Sequence, residues 1–289
     1  MLDDYLTLNG FKLYRKKPNA IRKGFLYTKN VYISSLMFNK NRTVRLFLPD
    51  YFFEDENKDN YSILFFLDGQ NMVDKYTTLY GEWNLDKTLN KLYKKEEKHV
   101  VLVGIDCANG DLERAMEYSP SIFDYKNKYK KGIDSNIYKP IGENVASFIA
   151  LELKPLIEQT LNMTFDKSHT GIGGSSMGGL ESFYIFNAFN NLFGFCLCFS
   201  PAFHLIKRQS LFSFVKPKSE LGKLFLYSGG GDELENMIYK DTLALYSYLI
   251  AKRKFDKTQL AFIFDSNKIH HETSWEIYSY PALNFLIKE

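Results

Sequence analysis

Gly174-Ser175-Ser176-Met177-Gly178 constrains the architecture of this chain more than any other stretch. The pattern is Gly-x-Ser-x-Gly, and its setting gives it weight. Residues 168–172 read as a short strand and residues 180–189 as a helix. A serine between such elements occupies a sharp, strained turn that projects its hydroxyl free of both. Neighbours two residues away on either side crowd that turn, so both must be small, and here both are glycine. Ser176, not Ser175, stands at the apex and is the candidate nucleophile. The bland alternative is a glycine-rich turn without chemistry.

Two other readings of these glycines fail on single residues. A phosphate-cradling loop starting at Gly173 would need Lys and then Ser or Thr after Gly178. The chain has Gly179 and Leu180 there. A dinucleotide fingerprint starting at Gly171 and Gly173 would need glycine at position 176, which is the serine itself.

A nucleophilic serine needs a base, and the base needs an orienting acid. One established chain order places the acid after the serine and the histidine last. His270 and His271 follow the apolar run 260–264, ahead of a helix expected over 273–287. His204 precedes any suitable acid, and His99 and His169 read as polar strand-end residues. The acid is expected after the strand 224–227, where Ser228-Gly229-Gly230-Gly231-Asp232-Glu233 lets the backbone turn sharply. Asp232 is the candidate and Glu233 the reserve; either can instead favour the start of a helix expected over 234–252. An oxyanion hole would draw one donor from the Met177 N–H. The other would come from Gln70, in the Asp68-Gly69-Gln70-Asn71 turn after the strand Tyr61–Leu67.

These residues also carry a resemblance. Phe66-Leu67-Asp68-Gly69-Gln70-Asn71 and Gly174-Ser175-Ser176-Met177-Gly178-Gly179-Leu180 resemble the esterase family that groups enterochelin-esterase-like proteins, feruloyl and acetyl-xylan esterases and S-formylglutathione hydrolases. Weaker matches are Gly81-Glu82-Trp83, Val103-Gly104-Ile105-Asp106, Arg114 with Glu117-Tyr118-Ser119-Pro120, and His270-His271-Glu272-Thr273-Ser274-Trp275. The last is similar to the family's His-x-Glu-x-x-Trp and selects His270 over His271. The run of glycines resembles the family's Gly-x-x-Asp/Glu segment and selects Asp232, although three consecutive glycines blur the register. The resemblance runs from about Arg42 onward. It implies an α/β-hydrolase fold, a mostly parallel sheet with helices on both faces and an antiparallel N-terminal strand pair. It also implies a serine esterase working through an acyl-enzyme, without cofactor or metal. Which ester is cleaved does not follow from it.

At 289 residues, one α/β domain spanning 1–289 is the expectation. A formal net charge of +3 gives no case for nucleic acid. Cys107, Cys196 and Cys198 are odd in number, and the last two point the same way from a strand. They read as reduced packing residues of a cytoplasmic protein. Without a long apolar run, a membrane partner is not expected. Nor do His-Glu-x-x-His or paired Cys-x-x-Cys patterns suggest zinc. The expected partner is a small-molecule ester; oligomeric state is not constrained.

Residues 31–35 and 43–48 read as an antiparallel pair, 82–93 as an amphipathic helix and 100–105 as a strand buried on both faces. Residues 141–161 read as one long helix holding Pro155. The stretches 121–140 and 201–222 are long for plain connections and are expected to form cap or pocket loops. Trp83, Tyr125 and Trp275 are candidate substrate contacts, against simple packing. The lysines of 121–140 are either solvated or steer an acidic substrate. An acyltransferase or thioesterase on the same residues is the nearest alternative. A non-catalytic binding protein on the same fold is the more distant one.

Overall fold

The structure is a computed structural model that describes residues 9–14, 24–36, 40–78, 80–126 and 139–287. Among them the strands are β1 (Lys12–Leu13), β2 (Gly24–Tyr32), β3 (Asn41–Pro49), β4 (Tyr61–Leu67), β5 (His99–Ile105), β6 (Thr170–Ser175), β7 (Phe195–Phe199), β8 (Lys223–Gly229) and β9 (Leu260–Asp265). The α-helices are α1 (Tyr51–Glu54), α2 (Leu85–Glu96), α3 (Asp111–Glu117), α4 (Gly142–Phe148), α5 (Lys154–Leu161), α6 (Met177–Ala188), α7 (Arg208–Phe214), α8 (Glu233–Ala251) and α9 (Glu272–Leu286). The strands form one sheet in the order β1-β2-β3-β5-β4-β6-β7-β8-β9. β1, β2 and β3 pair antiparallel, as does β3 with β5; every pairing from β5 to β9 is parallel.

Alternation along the strands divides the core in two. Ile63, Phe65 and Leu67 of β4 join Val101, Val103 and Ile105 of β5 on one face, under α4, α5, α6 and α8. Leu64, Phe66, Val100 and Leu102 point to the other face, under α2 and α9. Continuous apolar runs are what a strand covered on both sides requires. Cys196 and Cys198 share the first face, fully buried, with sulfur atoms 3.4 Å apart.

This sheet determines where chemistry can be placed. After β4 the chain pairs β5 on one side and then returns to pair β6 on the other. The connections leaving β4 and β6 therefore diverge, opening a crevice at the carboxyl ends of the strands. Both sequence motifs, Asp68–Asn71 and Ser175–Met177, lie at those ends.

Three local expectations need correction. The early strand is β2, at Gly24–Tyr32, which pairs along its whole length from Gly24↔Pro49 to Tyr32↔Asn41. Residues 33–36 belong to the turn instead: the Ile33 N–H bonds the Lys40 carbonyl at 2.8 Å, and Ile33 and Leu36 fold back into the core. The long helix over 141–161 is divided into α4, a π-turn at Ile149–Leu153, and α5. Pro155 has no N–H to give to the preceding turn, and the widened turn accommodates that loss. Finally, 201–222 is not simply a loop: it contains a 3-10 turn at Ala202–Leu205 and α7.

Candidate active site

Ser176 ends β6 and begins α6 with φ 56° and ψ −122°, in the left-handed half of backbone space. For a non-glycine residue this conformation costs on the order of 1–3 kcal/mol and must be imposed by its surroundings. The segment after β7 imposes it. The Ser176 N–H bonds the Phe199 carbonyl at 2.9 Å, and the Ala202 N–H bonds the Ser176 carbonyl at 3.0 Å. The flanking glycines are needed for space. A Cβ on Gly174 would lie 2.9 Å from the Gly178 backbone, and one on Gly178 would lie 3.1 Å from Asp68 Oδ2.

His270 lies in the loop between β9 and α9. Its Nδ1 is 2.8 Å from Glu235 Oε1. Glu235 is fully buried, and its other oxygen accepts the Gly229 N–H at 2.7 Å. The ring also meets Trp275 edge-on, with centroids 5.0 Å apart. Ser176, His270 and Trp275 line one cavity of about 660 Å³, a size suited to a small organic ligand.

Asp232 therefore does not occupy the place expected of the acid. It caps α8: Oδ1 accepts the Glu235 N–H at 2.7 Å, while Oδ2 accepts the His270 backbone N–H at 2.7 Å. Partial burial acts to raise its pKa, but the N–H donors of Glu235 and His270 outweigh this and hold it below the ordinary value. The reserve, Glu233, is exposed in the first turn of α8. The physical reason is the helix. An acid at the cap position is committed to the free N–H groups of the first turn. The residue three positions on faces inward with Ile238, Thr242 and Leu245. The three glycines serve close packing as much as turning. A Cβ on Gly229 would lie 2.2 Å from the Lys268 carbonyl oxygen. Replacing Asp232 with alanine is expected to lower stability by about 1 kcal/mol through loss of the cap. A urea melt should show that loss, with kcat reduced far less than by a change at Glu235. An unchanged melt with a thousandfold loss of kcat would return Asp232 to the acid's role.

The two adjacent histidines are divided by function of place. His271 caps α9, its Nδ1 accepting the Thr273 N–H at 3.2 Å, and no carboxylate of the described residues bonds that nitrogen. His204, in the turn after β7, is buried enough that its pKa falls to about 4.

The Asp68–Asn71 turn is strongly braced. Asp68 has φ 59° and takes two bonds from Arg114, each 2.7 Å. The Asp68 N–H donates to the buried Tyr118 hydroxyl at 3.2 Å. Gly69 packs directly against β5, where a Cβ would lie 2.6 Å from the Ile105 nitrogen, so no other residue fits. The Gln70 side chain is held by Cys107: Nε2 donates to Sγ and Oε1 accepts the Cys107 N–H, both at 3.2 Å. The Gln70 N–H precedes the first bond of this turn, from Asn71 N–H to the Asp68 carbonyl. The Met177 N–H likewise precedes the first bond of α6, from Leu180 N–H to the Ser176 carbonyl. N–H groups in a first turn have no carbonyl partner within their own helix.

Trp83 and Tyr125 do not line the cavity. Trp83 is buried and stacks on Trp275 at 5.5 Å, and the Tyr125 hydroxyl bonds the Pro120 carbonyl. The two long stretches meet each other instead of the cavity, through a Tyr125↔Ile206 bridge. None of their described residues lines it; residues 127–138 lie outside the described residues. Lys126 is paired with Asp241 at 2.9 Å, which removes it as a free steering charge. Among the described residues no group of His, Cys, Asp and Glu is arranged to hold a metal. No described helix is long and apolar enough to cross a membrane.

Known proteins give this geometry a context. No curated protein matches the sequence. Solved structures share the fold at low identity. The BES protein from Bacillus cereus is 18% identical with a TM-score of 0.67, over 96% of this chain and 99% of that one. A feruloyl esterase module from Clostridium thermocellum is 16% identical with a TM-score of 0.64, over 96% and 95%. An enterobactin esterase from Shigella flexneri is 18% identical with a TM-score of 0.62, over 90% of this chain but 58% of that one. The fold they share is the α/β-hydrolase fold. The family model described as "Putative esterase" matches residues 34–277, so this chain belongs to the esterase family and is a carboxylic ester hydrolase.

Proposed function

We propose that the protein cleaves its ester through an acyl-enzyme, with Ser176 as nucleophile, His270 as base and Glu235 as the orienting acid. The observation that carries this reading is the pairing of His270 with the buried Glu235, with His270 lining the same cavity as the strained Ser176. With its Nδ1–H donated to Glu235, His270 presents Nε2 as acceptor for the serine proton. Attack by Ser176 Oγ forms a tetrahedral intermediate whose oxyanion is met by the N–H groups of Gln70 and Met177. Such donors are worth about 3 kcal/mol each in the transition state. His270 then gives its proton to the departing alcohol, and water, activated by the same ring, releases the acid. Asp232 positions His270 through its backbone. No cofactor enters this sequence. We read residues 1–289 as one catalytic unit. Three free thiols, two of them buried, suit a reducing compartment such as the cytoplasm.

A fluorophosphonate probe tests the nucleophile. Labelling is expected on Ser176 alone, located by peptide mass spectrometry. Labelling on Ser175, or labelling that survives in Ser176→Ala, would defeat the assignment.

A further inference from the structure

We infer that Glu272, held by Asn71, reads a hydroxyl group on the alcohol side of the ester and selects against anionic alcohols. The inference rests on the proposed reaction at Ser176 and names the substrate feature that this site favours.

Glu272 opens α9, two residues beyond His270, and lines the cavity. It is buried, yet among the described residues its donors are few: Asn71 Nδ2 at 3.3 Å to Oε1, and its own backbone N–H. A carboxylate accepts about four hydrogen bonds, so capacity remains. The site is built rigidly. Asn71 is buried and belongs to the braced turn after β4. On the other side the turn closed by Thr78 and Gly81 packs close, and a Cβ on Gly81 would lie 3.0 Å from Glu272 Cβ. Asn71 Oδ1 is itself buried without a partner among the described residues. The corner thus offers mostly acceptors.

Charge sharpens the choice. Arg114 lines the cavity, but Asp68 takes two of its N–H groups. Asp106, also lining it, is matched by Arg45. Among the described residues Glu272 and the exposed Asp111 have no such arginine or lysine, and no described lysine lines the cavity. A carboxylate or phosphate on the substrate would meet these acids uncompensated. Burial raises the pKa of Glu272, against the pull of its own N–H and of His271. A hydroxyl, which donates and accepts, satisfies such a carboxyl in either protonation state. The alcohol side is specified by the chemistry. His270 must reach the leaving oxygen to protonate it, so the alcohol lies toward His270 and its neighbour Glu272.

The test compares kcat/KM for acetate esters of short alcohols with the purified 289-residue protein. The substrates are propyl acetate, 2-hydroxyethyl acetate, acetylcholine and acetoxyacetate. The wild type should prefer 2-hydroxyethyl acetate over propyl acetate by roughly tenfold or more, the scale of one hydrogen bond to a charged group. Acetoxyacetate should be at least about tenfold poorer than propyl acetate. In Glu272→Gln both ratios should shrink to within about threefold, and ratios remain readable even if overall activity changes. Equal rates for propyl and 2-hydroxyethyl acetate in the wild type would overturn the inference. So would a preference for acetoxyacetate, unchanged ratios in Glu272→Gln, or acetylcholine surpassing 2-hydroxyethyl acetate, which would mean charge attraction. The wild-type comparison stands if the variant fails to fold. If propyl acetate is hydrolysed without selectivity, only the role of Glu272 fails. If Ser176→Ala hydrolyses these esters as well as the wild type, the proposed reaction itself fails.

Discussion

Ser176→Ala is expected to lower kcat by about four to six orders of magnitude while leaving the fold intact. Both halves of this expectation come from how the turn is held. The strained backbone at Ser176 is fixed by main-chain bonds to Phe199 and Ala202, not by the hydroxyl. Removing Oγ therefore takes away the proposed nucleophile without releasing the turn. The residual rate would be that of water attack helped by the remaining donors. His270→Ala should fall nearly as far, and the double variant little further, because residues of one catalytic unit do not contribute additively. Single-turnover assays on an activated ester, with circular dichroism to check folding, would measure this. A loss below about a hundredfold in either single variant would remove that residue from the proposed mechanism.

Glu235→Gln should lower kcat by about three to four orders of magnitude, and the reason is specific to this site. One carboxylate oxygen of Glu235 accepts the Gly229 N–H at 2.7 Å, and the other faces His270 Nδ1 at 2.8 Å. A glutamine must keep its carbonyl oxygen toward Gly229, since that buried N–H otherwise loses its acceptor. Its NH₂ group is thereby turned toward the imidazole. Nδ1 would then have to accept, placing the ring proton on Nε2, where the serine needs an acceptor. Asp232→Asn should lose far less, since Asp232 accepts only backbone N–H groups here. Steady-state kinetics on both variants separate the two acids. The assignment falls if Glu235→Gln keeps more than about a tenth of wild-type kcat.

Why the sequence pointed to Asp232, when the carboxylate at His270 Nδ1 is that of Glu235, is itself physical. Asp232 was selected by nearness to a glycine turn and by family register, both properties of a linear chain. The decisive property is helical. Glu235 shares an inward stripe with Ile238, Thr242, Leu245 and Leu249, at intervals of three and four residues. A carboxylate on the apolar stripe of a helix is out of place unless something buried needs it. Read with Asp232 three residues before it, as a cap and its third position, the pattern was present in the sequence. The core strands were legible because unbroken apolar runs admit few alternatives. β2 was not, because its start adjoins residues whose pattern is weak. The Ser176 turn and the β4 turn were legible because each needs glycine at positions where any side chain would collide. The separate duties of His270 and His271 were not, because both follow from where α9 starts, and no local pattern dates that start to a single residue.

Trp275 gives these parts a shared support. Its indole N–H bonds the Ser200 hydroxyl at 3.0 Å, and its ring meets that of His270. Ser200, itself at φ 42°, lies between Phe199 and Ala202, the two residues that hold the Ser176 backbone. Ser176 and His270, the proposed nucleophile and base, thus share one mount, though they lie 94 residues apart in the chain (270 − 176). A drift of α9, passed through the Trp275–Ser200 bond, would act on both residues as a common-mode displacement. The gap between them, on which the proposed proton transfer depends, is the difference signal, and a shared mount would cancel drift from a difference.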